Sequence, residues 1–207
     1  LCNNLGELYR QLGRFADAER LLRHALKVHT NFPEAAMNLG NALKDSGRYA
    51  EAIECYHQVL ALFDQLDNRF QQAVVRMNLG IIYFSCQQMT AALELFAQAE
   101  PIFRQLHDQE HLGKLYLNQA LVYRALDNFP ISERLLRASI ALFEQLGNLD
   151  WWANTVDELG VTLLHMGERQ QAIVTFQAAL AILDNAPNEC AEELRATIVS
   201  HLQRSCH

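Results

Sequence analysis

Asparagine stands at Asn4, Asn38, Asn78 and Asn118, and the series closes on Glu158. Inside a helix Asn is less favourable than Ala by roughly a few tenths of a kcal/mol, so four of them in one recurring slot ask for a cause. Each amide offers a donor group and an acceptor, and can pair at two points with the N–H and C=O of an extended peptide. The same amides can instead bond a neighbouring helix of their own scaffold, and both readings are open at this stage. Other residues able to do chemistry are less organised. His107 and His111 lie four apart with Asp108 and Glu110 beside them. Two such histidines on one helix can share a metal, but this pair straddles a predicted turn and reads as a solvated loop, so no metal or other cofactor is expected. The five cysteines, Cys2, Cys55, Cys86, Cys190 and Cys206, form no C-x-x-C pair and read as small buried hydrophobes of a reducing compartment. Trp151 and Trp152 open a predicted helix and read as a packing staple with one exposed ring. With no Gly-rich phosphate loop, H-E-x-x-H or G-x-S-x-G motif, no enzyme activity is expected.

The elements that must position the asparagines come from an internal repeat. Two residues beyond each member of the series lies a small anchor: Gly6, Gly40, Gly80, Ala120 and Gly160, one step of 34 and three of 40. Twelve residues past the anchors stand Ala18, Ala52, Ala92, Ser132 and Ala172, and seven further on Ala25, Val59, Ala99, Ser139 and Ala179. Sixteen past the anchors stand Leu22, Tyr56, Phe96, Leu136 and Phe176, and three past them Tyr9, Leu43, Tyr83, Tyr123 and Leu163. Large residues are knobs and small ones holes, so each repeat reads as two antiparallel helices crossing closely where Gly or Ala faces Ala.

Leucine or another apolar residue before Gly, an aromatic three further on, and two later small residues resemble the tetratricopeptide repeat pattern, in register over residues 1 to about 184. The 40-residue form, marked by Leu66-Asp67-Asn68, Leu106-His107-Asp108 and Leu146-Gly147-Asn148, resembles the longer subtype of kinesin light chains, polarity adaptors and bacterial regulators with a repeat sensor domain. The resemblance implies an all-α, right-handed superhelix of five helix-turn-helix repeats, at about 1–32, 33–66, 67–106, 107–146 and 147–184. A capping helix over about 188–204 follows, with Cys190, Leu194, Ile198 and Leu202 on one face. The first helix of each pair then lines a concave groove. In kinesin light chains and O-linked GlcNAc transferase the Asn slot grips peptide backbone, which the resemblance carries to Asn38, Asn78 and Asn118. Some relatives hold a terminal carboxylate with Lys and Arg around two Asn. Asn41, Asn78 and Lys114 fit three of those positions, while Met37 and Asn118 stand where Lys and Arg are required.

Groove neighbours suggest the ligand. Met77, Ile81, Phe84, Leu117, Leu121 and Arg124 make the centre mainly apolar, with Val74 and Lys114 beside them, and Asp157 and Glu158 make one end acidic. An extended segment with apolar anchors, and polar or basic residues toward Asp157 and Glu158, fits this pattern. The expected function is a protein or peptide binding module, the sensor or adaptor part of a larger polypeptide. The alternative is a structural spacer or self-association scaffold whose groove is filled by other domains of its parent chain or by a second copy.

Composition sets outer limits. Of 207 residues 50% are hydrophobic, and only 4 Pro and 9 Gly are present, so one continuous repeat domain is expected, without a Pro/Gly-rich linker. A formal charge of −7 argues against nucleic acid, whose affinity rests on clustered Lys and Arg. No apolar run is long enough to span a bilayer and no signal peptide is evident, which makes a cytoplasmic location, away from membranes, the expectation. Leu1 falls inside a predicted helix, as in a piece of a longer protein. Pro101, inside the second helix of repeat three, is expected to kink it.

Overall fold

A computed structural model of the chain describes residues 1–29, 32–184 and 189–206. Among these residues it contains eleven α-helices and no strand: α1 (Cys2–Gln11), α2 (Phe15–Val28), α3 (Pro33–Asp45), α4 (Tyr49–Gln65), α5 (Arg69–Ser85), α6 (Met89–Gln105), α7 (Gln109–Ala125), α8 (Phe129–Leu146), α9 (Leu149–His165), α10 (Arg169–Leu183) and α11 (Glu189–Cys206). Backbone contacts gather them into two compact units, Leu1–Ile102 and Phe103–His207. In the first unit α1 packs on α2, α2 on α3, α3 on α4 and α4 on α5. The second unit repeats the scheme from α7 to α11. Odd-numbered helices also meet one another, α1 with α3, α3 with α5, α7 with α9 and α9 with α11. The described residues are all-α and made of consecutive helix hairpins.

Close crossing at the anchors explains the pairing. A Cβ added at Gly40 would lie 2.9 Å from Tyr56 Cε1, and one at Gly80 2.5 Å from Phe96 Cε1. Bulk on the second helix thus sits directly against bare backbone on the first. Repeat four inverts the proportion: its anchor is Ala120 and its knob the smaller Leu136, both fully buried. The small slots Ala18, Ala52, Ala92, Ser132 and Ala172 are likewise wholly buried.

Turns are as regular as the crossings. Gly13, Gly47 and Gly167 take φ of 70°, 78° and 79°, and Gln87 and Asp127 fill the same left-handed position at 60° and 58°. The 40-residue marks resolve into the same device. Asp67, His107 and Gly147 are left-handed, and Asn68, Asp108 and Asn148 follow as N-caps whose side chains accept from the backbone N–H three residues on. Asn128 caps α8 in the same way with Pro130 in the first turn, as expected from sequence. α6 runs through Pro101 to Gln105, where the missing N–H removes one bond of the helical ladder.

One expectation needs revision. The cysteines are not uniformly buried: Cys86 is exposed, and Cys2 and Cys55 are only half-buried. Cys86 lies at the C-cap of α5, outside the packed stripe, and Cys55 donates from Sγ to Ala36 O at 3.1 Å. The side chains of Cys190 and Cys206, and residue Asn188 in the expected cap, lie outside the described part. Within it α11 does pack on α9 and α10, with Ile198 fully buried.

Candidate functional site

In the first unit the amides are brought together on the faces where odd-numbered helices meet. Asn38 donates from Nδ2 to Asn3 Oδ1 at 3.0 Å, bridging α3 to α1. Asn78 donates to Asn41 Oδ1 at 3.3 Å, and its own Oδ1 lies 3.5 Å from Lys44 Nζ. Tyr56 donates from its hydroxyl to the same Asn41 oxygen at 2.6 Å. Burial lowers the pKa of Lys44, and Asp45 at 3.6 Å only partly offsets that effect. Met77 and Asn78 are nearly covered, whereas Asn38, Asn41, Ile81 and Phe84 remain half-exposed around them. The result is two amide pairs, Asn3–Asn38 and Asn41–Asn78, that tie neighbouring first-type helices together.

In the second unit the corresponding slots behave differently. Asn118 donates back to Lys114 O in its own helix at 2.7 Å. Lys114 pairs with Glu110 at 2.5 Å, and its Nζ lies 5.0 Å from the Trp151 ring centroid. Trp151 stacks in turn on Phe143 with centroids 5.9 Å apart, and both it and Trp152 are half-buried against the core, so they pack as expected but neither ring is the exposed one that sequence suggested. Leu117 is buried, while Leu121 and Arg124 are half-exposed.

The acidic end is not presented as sequence suggested. Glu158 Oε2 accepts from Arg124 Nη2 at 2.6 Å, and Arg124 also donates to Glu158 O at 3.2 Å. Asp157 is only 5% exposed, because α11 places His201 Nδ1 2.8 Å from its Oδ1. Burial raises the Asp157 carboxyl above its usual range, with His201 pulling in the other direction. Sequence reasoning lacked the cap's approach to this slot.

The three positions of a carboxylate clamp are engaged separately, Asn41 with Asn78 and Lys114 with Glu110. His111 is explained without metal: Asp108 Oδ1 caps its backbone N–H at 2.9 Å, Asp108 Oδ2 lies 3.0 Å from its Nδ1, and its ring stacks on Phe103. Among the described residues no three His, Cys, Asp or Glu side chains group as metal ligands, and no helix is long and apolar enough to cross a membrane.

Helix hairpins stacked through small-on-large crossings, with amides and apolar side chains on the first-helix faces, define a helical-repeat interaction module. The chain belongs to the tetratricopeptide repeat family, whose models match residues 31–105 and 111–185 and, in a second form, residues 1–31. It resembles a Podosopora anserina kinesin light chain structure with nearly identical TPR-like repeats, at TM-score 0.71 and 21% identity over 89% of this chain and 93% of that one. BtubC (BKLC) from P. vanneervenii aligns at TM-score 0.71 and 17% identity, covering 96% and 89%. A thermophilic TPR protein of Thermus thermophilus aligns at 0.71 and 23%, covering 98% and 97%. These likenesses are of fold. A 65-residue stretch, 31% of the chain, is 35% identical to Protein O-mannosyl-transferase Tmtc3 of Drosophila melanogaster and spans 7% of that protein's length. Tetratricopeptide repeats are protein–protein interaction modules in general, and the fold is typically a non-enzymatic scaffold.

Proposed function

We propose that the chain binds extended peptide segments on its first-helix faces, as a sensor or adaptor without catalysis of its own. The observation that carries this reading is the pair Asn41–Asn78, one half-exposed and one nearly covered, with half-exposed Asn38, Ile81 and Phe84 on the same first-type helices. The 3.3 Å bond from Asn78 to Asn41, whose acceptor also takes the Tyr56 hydroxyl, can be exchanged for the N–H and C=O of a strand, and the apolar neighbours supply shallow seats for alternate side chains. In the second unit Asn118 and Leu121 stand half-exposed in the corresponding slots, with Asn118 bonded to Lys114 O of its own helix and Lys114 and Arg124 held in ion pairs. A structural spacer is the competing reading, favoured by the same amide pairs taken as permanent bonds between helices.

Selection of peptides from a random linear library, followed by titration of a selected peptide against wild type, Asn78→Ala and Asn118→Ala, separates the two. Backbone gripping should weaken binding about tenfold, the equivalent of roughly 1.4 kcal/mol, with melting temperatures little changed. An N-methylated version of the peptide should lose affinity for wild type to a similar degree. Unchanged affinity with lowered melting would make the amides scaffold bonds and end the proposal.

A further inference from the structure

In the second helix of each repeat, the slot fourteen residues beyond the anchor is charged in four cases: Arg20, Glu54, Glu94 and Arg134. Repeat five has Val174 there, and its side chain is 56% exposed. From Gln170 to Leu183 α10 carries no charged residue at all. A second-type helix that lacks the ionic surface of its counterparts while exposing apolar side chains marks an interaction surface.

That face borders an open groove of about 390 Å³ between α10 and α8. Val156 and Leu159 of α9, both nearly covered, lie along its base, and Val174 and the exposed Ala178 line its α10 side. The α8 side is lined by Arg137, Ile140, Ala141 and Glu144. Their order is the informative part. Arg137 and Glu144 stand about two helical turns apart, roughly 10.5 Å along the axis. Midway between them fall Ile140 and the exposed Ala141. Arg137 pairs with Glu133 of its own helix at 2.8 Å and is still 55% exposed.

A second α8 laid antiparallel on the first, about a two-fold axis passing between Ile140 and Ala141, sets Arg137 of each copy opposite Glu144 of the other. Two-fold contacts must be self-complementary, and this spacing satisfies that condition twice with one pair of residues. Ala141 at the axis allows the two backbones to approach closely. The α10 wall offers the incoming helix no charge that would have to be stripped of water.

We propose that the α8–α10 groove is a homodimer interface, in which α8 of each copy lies antiparallel in the groove of the other. It uses none of the side chains assigned above to peptide binding, so a dimer would present that surface twice. One helix pair and its groove make a contact below about 1,200 Å², which calls for a weak, concentration-dependent dimer.

Sedimentation equilibrium of the whole chain, over a concentration series reaching the millimolar range, tests this. Wild type should approach the dimer mass as concentration rises. Arg137→Glu and Glu144→Arg each set like charges face to face at both ends of the contact, and each should weaken dimerisation about tenfold or more. Mixed together, the two variants are complementary and should form a heterodimer as tight as the wild-type dimer. The double variant Arg137→Glu/Glu144→Arg should likewise regain self-association. Both positions are exposed, so helical circular dichroism should stay unchanged, and Arg137→Gln with Glu144→Gln stand in if it does not. Wild type that stays monomeric throughout overturns the proposal. So does a dimer that neither single variant weakens, whose contact lies elsewhere, or a loss that mixing the variants fails to restore.

Discussion

Gly160 faces Phe176 so closely that a Cβ would lie 2.3 Å from Cε1 and 2.6 Å from Cζ of a ring that is fully buried. Gly160→Ala should therefore destabilise the protein by about 1–3 kcal/mol through a forced rotamer or a backbone shift. Urea denaturation checks this, and an unchanged midpoint would show that the crossing is slack. These holes were legible in sequence because five copies of one slot could be overlaid. A second crossing was not read. Gly113 sits against Phe143, 2.8 Å from a notional Cβ to Cζ, and Ser139 donates to Gly113 O at 2.8 Å. Phe63, Phe103 and Phe143, recurring every 40 residues and all buried, were the available signal. The partners of the asparagines were not legible at all, since an amide's choice between a helix and a ligand is a matter of distance.

α11 meets α9 through a polar contact as well as the apolar seat of Ile198. Burial raises the Asp157 carboxyl above its ordinary 3.8, an effect that His201 opposes only in part. The native state consequently holds that proton to higher pH than the unfolded chain does. The stability this contributes is complete below about 3.8 and is lost as pH rises through the native value. Asp157→Asn keeps an acceptor for His201 and removes the titration. The stability of wild type relative to this variant should fall between about pH 4 and pH 7. Urea midpoints measured at both values check it, and a flat difference would mean that burial is balanced by His201. Helix positions were largely legible, because Gly punctuation and apolar periodicity fall at the same places. The N-caps Asn68, Asp108 and Asn148 were visible only as a periodic mark whose purpose needed the turn geometry.

At the scale of the molecule, charge and repetition govern what the chain can meet. With 24 acidic against 17 basic residues it should not retain a short DNA duplex at about 0.15 M salt, where a protein lacking clustered Lys and Arg has few counterions to release. A gel shift checks this, and a retained band would point to a basic patch hidden by the net figure. The repeat count was legible from spacing and the family from resemblance to the tetratricopeptide pattern, while the α11 cover over Asp157 required coordinates. The hairpins also differ in length. α3 has 13 residues and α5 has 17, and α2 has 14 where α4 has 17. Both increments are close to one turn. A single added residue would rotate everything beyond it by about 100° and turn knobs toward water. Growth in a chain of this kind is a screw-thread problem: the gene can lengthen a hairpin only by steps that bring the same face back around, so tolerated insertions and deletions should cluster at three or four codons.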